Sequence, residues 1–187
     1  MYGMVHTAAR SMVIETMGEE AWSRVLDQAN LNGEHFISGQ NYSDDVTFAL
    51  VGAISRVSGI EASELLKSFG HYWIKYAANS SYGAMFRISG LDLVTFLTNL
   101  NRMHASIHSI MPASRMPSFE VLHAEDARID VLYGSDRTGL FPFVEGLMSG
   151  LMEHFGETGH VTHAATAEGD VFSLHREACQ ISLSGAA

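Results

Sequence analysis

The chain has 187 residues and is 47% hydrophobic, which suits one domain with a sizeable core, or one domain built of two unequal halves. A formal net charge of −10 without any basic stripe argues against nucleic acid and anionic membrane surfaces as partners, and the single cysteine, Cys179, rules out an intramolecular disulfide and suits a reducing compartment. The opening Met1-Tyr2-Gly3-Met4-Val5-His6 lacks the apolar core of a signal peptide and no apolar run reaches the roughly 18 residues that cross a bilayer, so a cytoplasmic location is expected.

The first part of the chain reads as helical. Met1, Met4, Val5, Ala8, Met12 and Val13 share one helix face, and Trp22, Val25 and Leu26 carry a second helix over 21–29. Ser43 is placed as an N-cap, with Asp44 and Asp45 favourable in the first turn of a helix through Val46, Leu50, Ile54 and Val57 that Gly59 ends. Another helix opens near Ile60–Ser63 and runs through Leu65, Leu66, Phe69 and Trp73; 79–83 reads as a loop. A long helix follows from about Leu91 to Ile110, and Pro112 and Pro117 stop it. Beyond Pro117 the period changes to two. Residues 119–123 and 128–133 read as paired strands, the stripe Leu140, Val144, Leu147, Leu151, Phe155 as a helix with Pro142 in its first turn, and 161–166 with 170–176 as a hairpin around Glu168-Gly169. Helices first, then strands with a helix, predict an α+β fold.

Two features point to chemistry. On the long helix Leu93, Leu97, Leu100, His104, Ile107 and Met111 recur at helical spacing, so an imidazole stands in the middle of a narrow apolar face. It needs a partner for each ring nitrogen, or a metal. A core histidine satisfied by a backbone carbonyl is the plain alternative; a His104–His108 metal pair lacks a nearby acidic or thiol ligand. The second feature is Tyr133-Gly134-Ser135-Asp136-Arg137. In an extended chain Tyr133, Ser135 and Arg137 face one side, and a phenol, a hydroxyl and a planar guanidinium can hold a ligand with two acidic groups. A strand end with ordinary surface polars is the plain alternative here. One imidazole as sole axial ligand and a polar clamp for two propionates together describe an iron porphyrin.

With these residues the chain resembles the haem nitric oxide/oxygen-binding (H-NOX) family, the sensor domain of soluble guanylate cyclases and of bacterial stand-alone homologues. The resemblance runs over nearly the whole chain: the Met1-to-Val5 opening, Tyr42-Ser43-Asp44-Asp45-Val46-Thr47, Phe69-Gly70-His71-Tyr72-Trp73, Asn99-Leu100-Asn101-Arg102-Met103-His104, and the Tyr133–Arg137 motif. It implies haem b, His104 as the proximal iron ligand, and Tyr133, Ser135 and Arg137 on the propionates. It also implies Pro117 pressing on the ring, Val5 and Met1 contacting it, and Trp73 and Phe143 beside the gas site, with Trp73 either an apolar wall or an indole donor. The implied fold is a helical distal subdomain (about 1–62) and a proximal subdomain with a four-stranded antiparallel sheet and packed helices (about 63–181), haem between them, with 182–187 a tail.

The implied function is a gas sensor rather than an enzyme. Oxygen-binding members carry a tyrosine at the position of Pro142, so the expectation is binding of NO and CO without stable O₂ retention. Some bacterial members bind zinc through cysteines near the final hairpin, which Cys179 alone does not repeat. NO would loosen the bond to His104, and with no output domain in the sequence the response would pass to a separate protein, a histidine kinase or a cyclic-di-GMP enzyme. Two rivals remain: a peroxidase-like haem enzyme, for which His71 and Lys75 do not share the face of Trp73, and a non-haem small-ligand or structural module.

Overall fold

The computed structural model describes residues 1–177, so Cys179 and the tail over 182–187 lie outside the described residues. Its elements are α1 (Gly3–Met17), α2 (Glu19–Ala29), α3 (Asp44–Ser58), α4 (Ala62–Asn79), α5 (Gly83–Ser89), α6 (Leu93–Ile110), β1 (Ser118–Glu125), β2 (Arg128–Gly134), α7 (Phe141–His154), β3 (Gly159–Ala165) and β4 (Asp170–Arg176). The strands form one antiparallel sheet in the order β1-β2-β4-β3. The fold is α+β, helices first and sheet later.

The local signals act as the sequence suggests, with three exceptions. Gly59 ends α3 in the left-handed conformation, at φ 73°. Ser43 does stand at the N-cap of α3 in extended conformation, but its side chain caps nothing. α6 begins at Leu93 behind Asp92, whose carboxylate accepts a hydrogen bond from the Thr95 amide at 2.9 Å; this cap replaces the expected start at Leu91. The third exception is α5, a seven-residue helix where the sequence shows only a polar loop and a short apolar run. So short a helix is not stable by itself; buried Phe86, packed on Phe96 of α6, holds it in place.

Two apolar cores result. One joins α1, α2, α3 and the first half of α4 through Val13, Val25, Leu50, Ile54, Leu65 and Phe69. The other joins Ile74 and Ala77 of α4 to α6, α7 and one sheet face, through Leu97, Met148, Ile129, Val131, Phe172 and Leu174. α4 serves both, and it lies unusually close to α7. A Cβ added at Gly70 would collide with the Phe143 carbonyl, and one at Gly146 with the Lys67 carbonyl. Backbone cannot move aside as a side-chain tip can, so Gly146→Ala is expected to cost about 1–3 kcal/mol, the usual range for overpacking. Urea denaturation checks this; an unchanged midpoint would contradict the close approach.

His6 is buried in the first core at 1% exposure. Its Nε2 lies 2.8 Å from the Thr47 hydroxyl and its Nδ1 has no partner among the described residues. Burial, with a smaller contribution from the positive amino terminus, pushes its pKa down to about 4. The unfolded imidazole titrates near 6.5. The neutral ring therefore contributes fully above pH 6.5, and that stability drains away as pH falls toward 4, by up to about 3 kcal/mol. Chemical denaturation at pH 7.5 and 4.5 is expected to show this loss in the wild type and a flatter dependence in His6→Asn.

Candidate functional site

Residues of both cores line a cavity of about 230 Å³ with almost wholly apolar walls. α1 contributes Met4 and Val5, α4 contributes Trp73, Ile74 and Ala77, α5 contributes Met85 and Phe86, and α7 contributes Phe143, Val144 and Leu147. The C-terminal half of the α6 stripe, Leu100, His104 and Ile107, with Met111 just beyond the helix, faces the same space, while Leu93 and Leu97 stay in the core.

His104 is half-buried, and its Nδ1 stands 3.0 Å from the Pro117 carbonyl oxygen. A carbonyl only accepts, so Nδ1 must carry the proton and donate it. Nε2 is then left with a lone pair on a residue that lines the cavity. Burial lowers the pKa of His104, and the carbonyl bond only partly offsets this, so the ring is neutral at pH 7. The plain reading of His104, satisfaction by a backbone carbonyl, is thus met at one nitrogen. The other is free for a metal, and a second-sphere carbonyl of this kind sets the tautomer a metal ligand needs. His108 does not join it: its Nδ1 faces Ser114 at 3.1 Å, and no cluster of three metal-ligating side chains exists among the described residues.

Tyr133, Ser135, Arg137 and Pro117 line the cavity too, with Met1 beside them. Only Tyr133 is on the strand; β2 ends at Gly134. The extended row expected from spacing is therefore a strand end plus a turn. The Ser135 hydroxyl accepts a hydrogen bond from the Arg137 amide at 3.1 Å, and this bend brings Arg137 round to the cavity. Burial raises the Tyr133 pKa, with the Ser135 hydroxyl and Arg137 charge opposing, so the phenol stays a donor.

Arg137 is already engaged. Its Nε lies 3.1 Å and an Nη 3.4 Å from the Asp44 carboxylate, and its other Nη donates to the Arg115 carbonyl at 2.9 Å. A guanidinium has five N–H donors, so two remain. Asp44 also takes the Met1 ammonium at 3.1 Å and the Arg115 side chain, which reaches Asp136 as well. Burial pushes Asp44 up, but hydrogen bonds from the amino terminus and Arg137 outweigh it and hold its carboxyl below the usual range. Three cations face two carboxylates, leaving positive charge at the polar edge of an apolar cavity. The sequence marked Asp44 as a helix-start acid and as part of the 42–47 stretch that carries the resemblance, without a partner; its partners stand 43, 71 and 93 residues away, a pairing no local signal carries.

The remaining wall is aromatic and aliphatic. Trp73 stacks on Tyr76 and meets Phe69 edge-on, and Phe143 packs on Phe69 at 5.4 Å. Pro142 is buried but outside the lining, and His71 pairs with Glu153 at the surface, 2.7 Å away. Tyr82, in the turn before α5, lines the cavity and was not singled out from the sequence.

The haem-NO-binding family model matches residues 2–163. The chain belongs to the haem-NO-binding family. It is 30% identical over 151 residues to soluble guanylate cyclase gcy-32 of Caenorhabditis elegans, covering 79% of this chain and 22% of that protein. With soluble guanylate cyclase 89Db of Drosophila melanogaster it shares 23% over 171 residues, 91% of this chain and 26% of the relative. The chain thus spans about a quarter of these relatives' length or less. In fold it is similar to a triple mutant of an H-NOX protein from S. oneidensis in the Fe(II) ligation state, TM-score 0.84 at 17% identity, covering 95% and 96% of the two chains. The Fe(II) unliganded H-NOX protein from K. algicida gives 0.80 at 20%, covering 95% and 97%.

A haem-NO-binding domain is a haem-based gas-sensor module, not a catalytic one, and haem b is its cofactor. The residues fit the group: a cavity-facing imidazole with a free lone pair, a cationic edge with spare donors, and apolar walls. Among the described residues no single helix is long and apolar enough to cross a membrane.

Proposed function

We propose that this domain senses NO, and also binds CO, at ferrous haem ligated by His104, that it does not retain O₂, and that release of His104 passes the signal to a partner protein. The observation that carries this is the His104 tautomer: Nδ1–H is held by Pro117 and the Nε2 lone pair is left to the cavity. Bound haem, held by the His104 Nε2 with its acidic groups at Tyr133, Ser135 and Arg137, would supply a ferrous iron whose binding of NO loosens its bond to His104. Every further step belongs to the protein. His104 stays tied to Pro117, and one turn earlier Asn101 pairs twice with the Phe119 backbone, donating to its carbonyl at 2.7 Å and accepting from its amide at 2.9 Å. α6 is thus stapled to the start of β1, and a freed His104 moves helix and sheet edge together between two packings.

For O₂, Pro142 offers no donor where oxygen-binding members have a tyrosine, and Phe143 beside it is apolar. Bound dioxygen draws charge from ferrous iron and gains from a donor, which neutral NO does not need. Reduced protein is therefore expected to give five-coordinate spectra changed by NO and CO and unchanged on brief exposure to air; a stable oxy spectrum would sink this assignment, with Trp73 or Tyr82 then the donor to remove. A histidine kinase or cyclic-di-GMP enzyme is the proposed partner and the cytoplasm the proposed location, supported by the H-NOX resemblance and the cysteine-poor composition. The proposed division into a distal part to about residue 62 and a proximal part beyond it is supported by the presence of two apolar cores, although α4 bridges them and its Leu65 and Phe69 still belong to the first.

A further inference from the structure

The first turn of α7 forms part of the cavity wall and has no side-chain cap: Leu140 at its N-cap and Phe143 both line the cavity. Between them Phe141 faces away from it. Its ring lies parallel to His163 of β3, centroids 5.0 Å apart at 11°, although Phe141 is 47% exposed. His163 also stacks on its cross-strand neighbour Phe172, 4.9 Å and 29°. The imidazole thus stacks on two phenyl rings that come from different elements, Phe172 across the sheet and Phe141 from α7. Its Nε2 lies 2.7 Å from the Asp170 carboxylate, which only accepts when ionised, so Nε2–H donates and fixes the ring in its plane.

The choice of histidine follows from its place. Val121, Val131, Phe172 and His163 form one row across the sheet's core face, and His163 ends it on the edge strand. At a partly wet edge a leucine would pack without orientation. An imidazole offers a flat face to each phenyl and a polar rim that Asp170 aims. α7 turns once in under four residues, so a shift of Phe141 carries Leu140 and Phe143 with it.

We propose that His163, aimed by Asp170 and stacked on Phe141 and Phe172, is a positioning residue that sets where Leu140 and Phe143 stand in the haem cavity. The claim rests on haem occupying that cavity. It is tested on haem-loaded ferrous protein by the C–O stretching band of the CO complex and the CO association rate, beside the Soret band and thermal midpoint. His163→Ala is expected to keep the Soret band but broaden or split the C–O band and to change CO association severalfold. His163→Phe, which keeps the three-ring stack, is expected to restore a single band. Phe141→Ala, on the exposed side, repeats the measurement where His163→Ala does not fold. Wild-type C–O band and CO rate in Phe141→Ala or a folded His163→Ala, with only the midpoint lowered, would overturn the proposal. A missing Soret band in the wild type would instead refute haem binding itself.

Discussion

His104→Gly purified without added imidazole is expected to lose the ferrous five-coordinate spectrum and at least tenfold in haem affinity. Second-sphere groups around a metal already account for about 10–100-fold in affinity, so the ligand itself accounts for no less. Added imidazole is expected to bring back the spectrum, because the cavity that held the ring is still apolar and Pro117 still presents its carbonyl. It would not bring back signalling: a free imidazole has no covalent link to α6, so NO would release it without moving the helix. Haem loading rescued and partner response lost is the pattern that identifies His104 as both ligand and lever. An unchanged ferrous spectrum in His104→Gly without imidazole would refute the ligand assignment. Glycine inside a helix costs about 1 kcal/mol, so the thermal midpoint is expected to fall modestly in both imidazole conditions.

What was legible in the sequence depended on range. The α6 stripe could be read because a helix repeats its own face every few residues, and His104 stood in that register among leucines. The alternation of β2 could be read for the same reason, with buried Ile129, Val131 and Tyr133 every second residue. The Tyr133, Ser135 and Arg137 set was found by its spacing, yet the extended row that spacing implied stops at Gly134, and a side-chain-to-backbone turn does the rest. α5 went unseen because its helix is imposed by Phe86 docking on Phe96, not by a pattern within seven residues. Long-range pairings were invisible. Gly70 and Gly146 look like weak helix positions until α4 and α7 are laid together, and Pro117 read as a helix stop and, through the resemblance, as pressure on the porphyrin ring, while its carbonyl proved to be the group that sets the His104 tautomer.

Arg137→Ala is expected to weaken haem retention by about ten- to a hundredfold, read as faster haem loss to an acceptor protein. The range follows from losing charge-assisted hydrogen bonds of about 1.5–3 kcal/mol, with about 1.4 kcal/mol per factor of ten. The variant loses the two donors that Arg137 keeps spare and one of three cations at the polar edge. Asp44 keeps the Met1 ammonium and Arg115, so the protein is expected to fold. Arg137→Lys tests whether charge or shape matters. A lysine restores the charge but cannot hold Asp44 with two nitrogens, donate to the Arg115 carbonyl and still keep two donors forward. Retention in Arg137→Lys is therefore expected to stay much nearer to Arg137→Ala than to wild type. Full retention there would mean that positive charge alone holds the acidic groups of the haem. Wild-type haem loss in Arg137→Ala would mean that the spare donors never reach them. Asp44→Asn separates the support from the clamp. Asparagine leaves Arg137 its charge but frees its guanidinium to swing, so haem loss is expected to rise by less than in Arg137→Ala. A larger rise in Asp44→Asn would show that Asp44, by fixing where the guanidinium points, matters more to retention than the charge it holds.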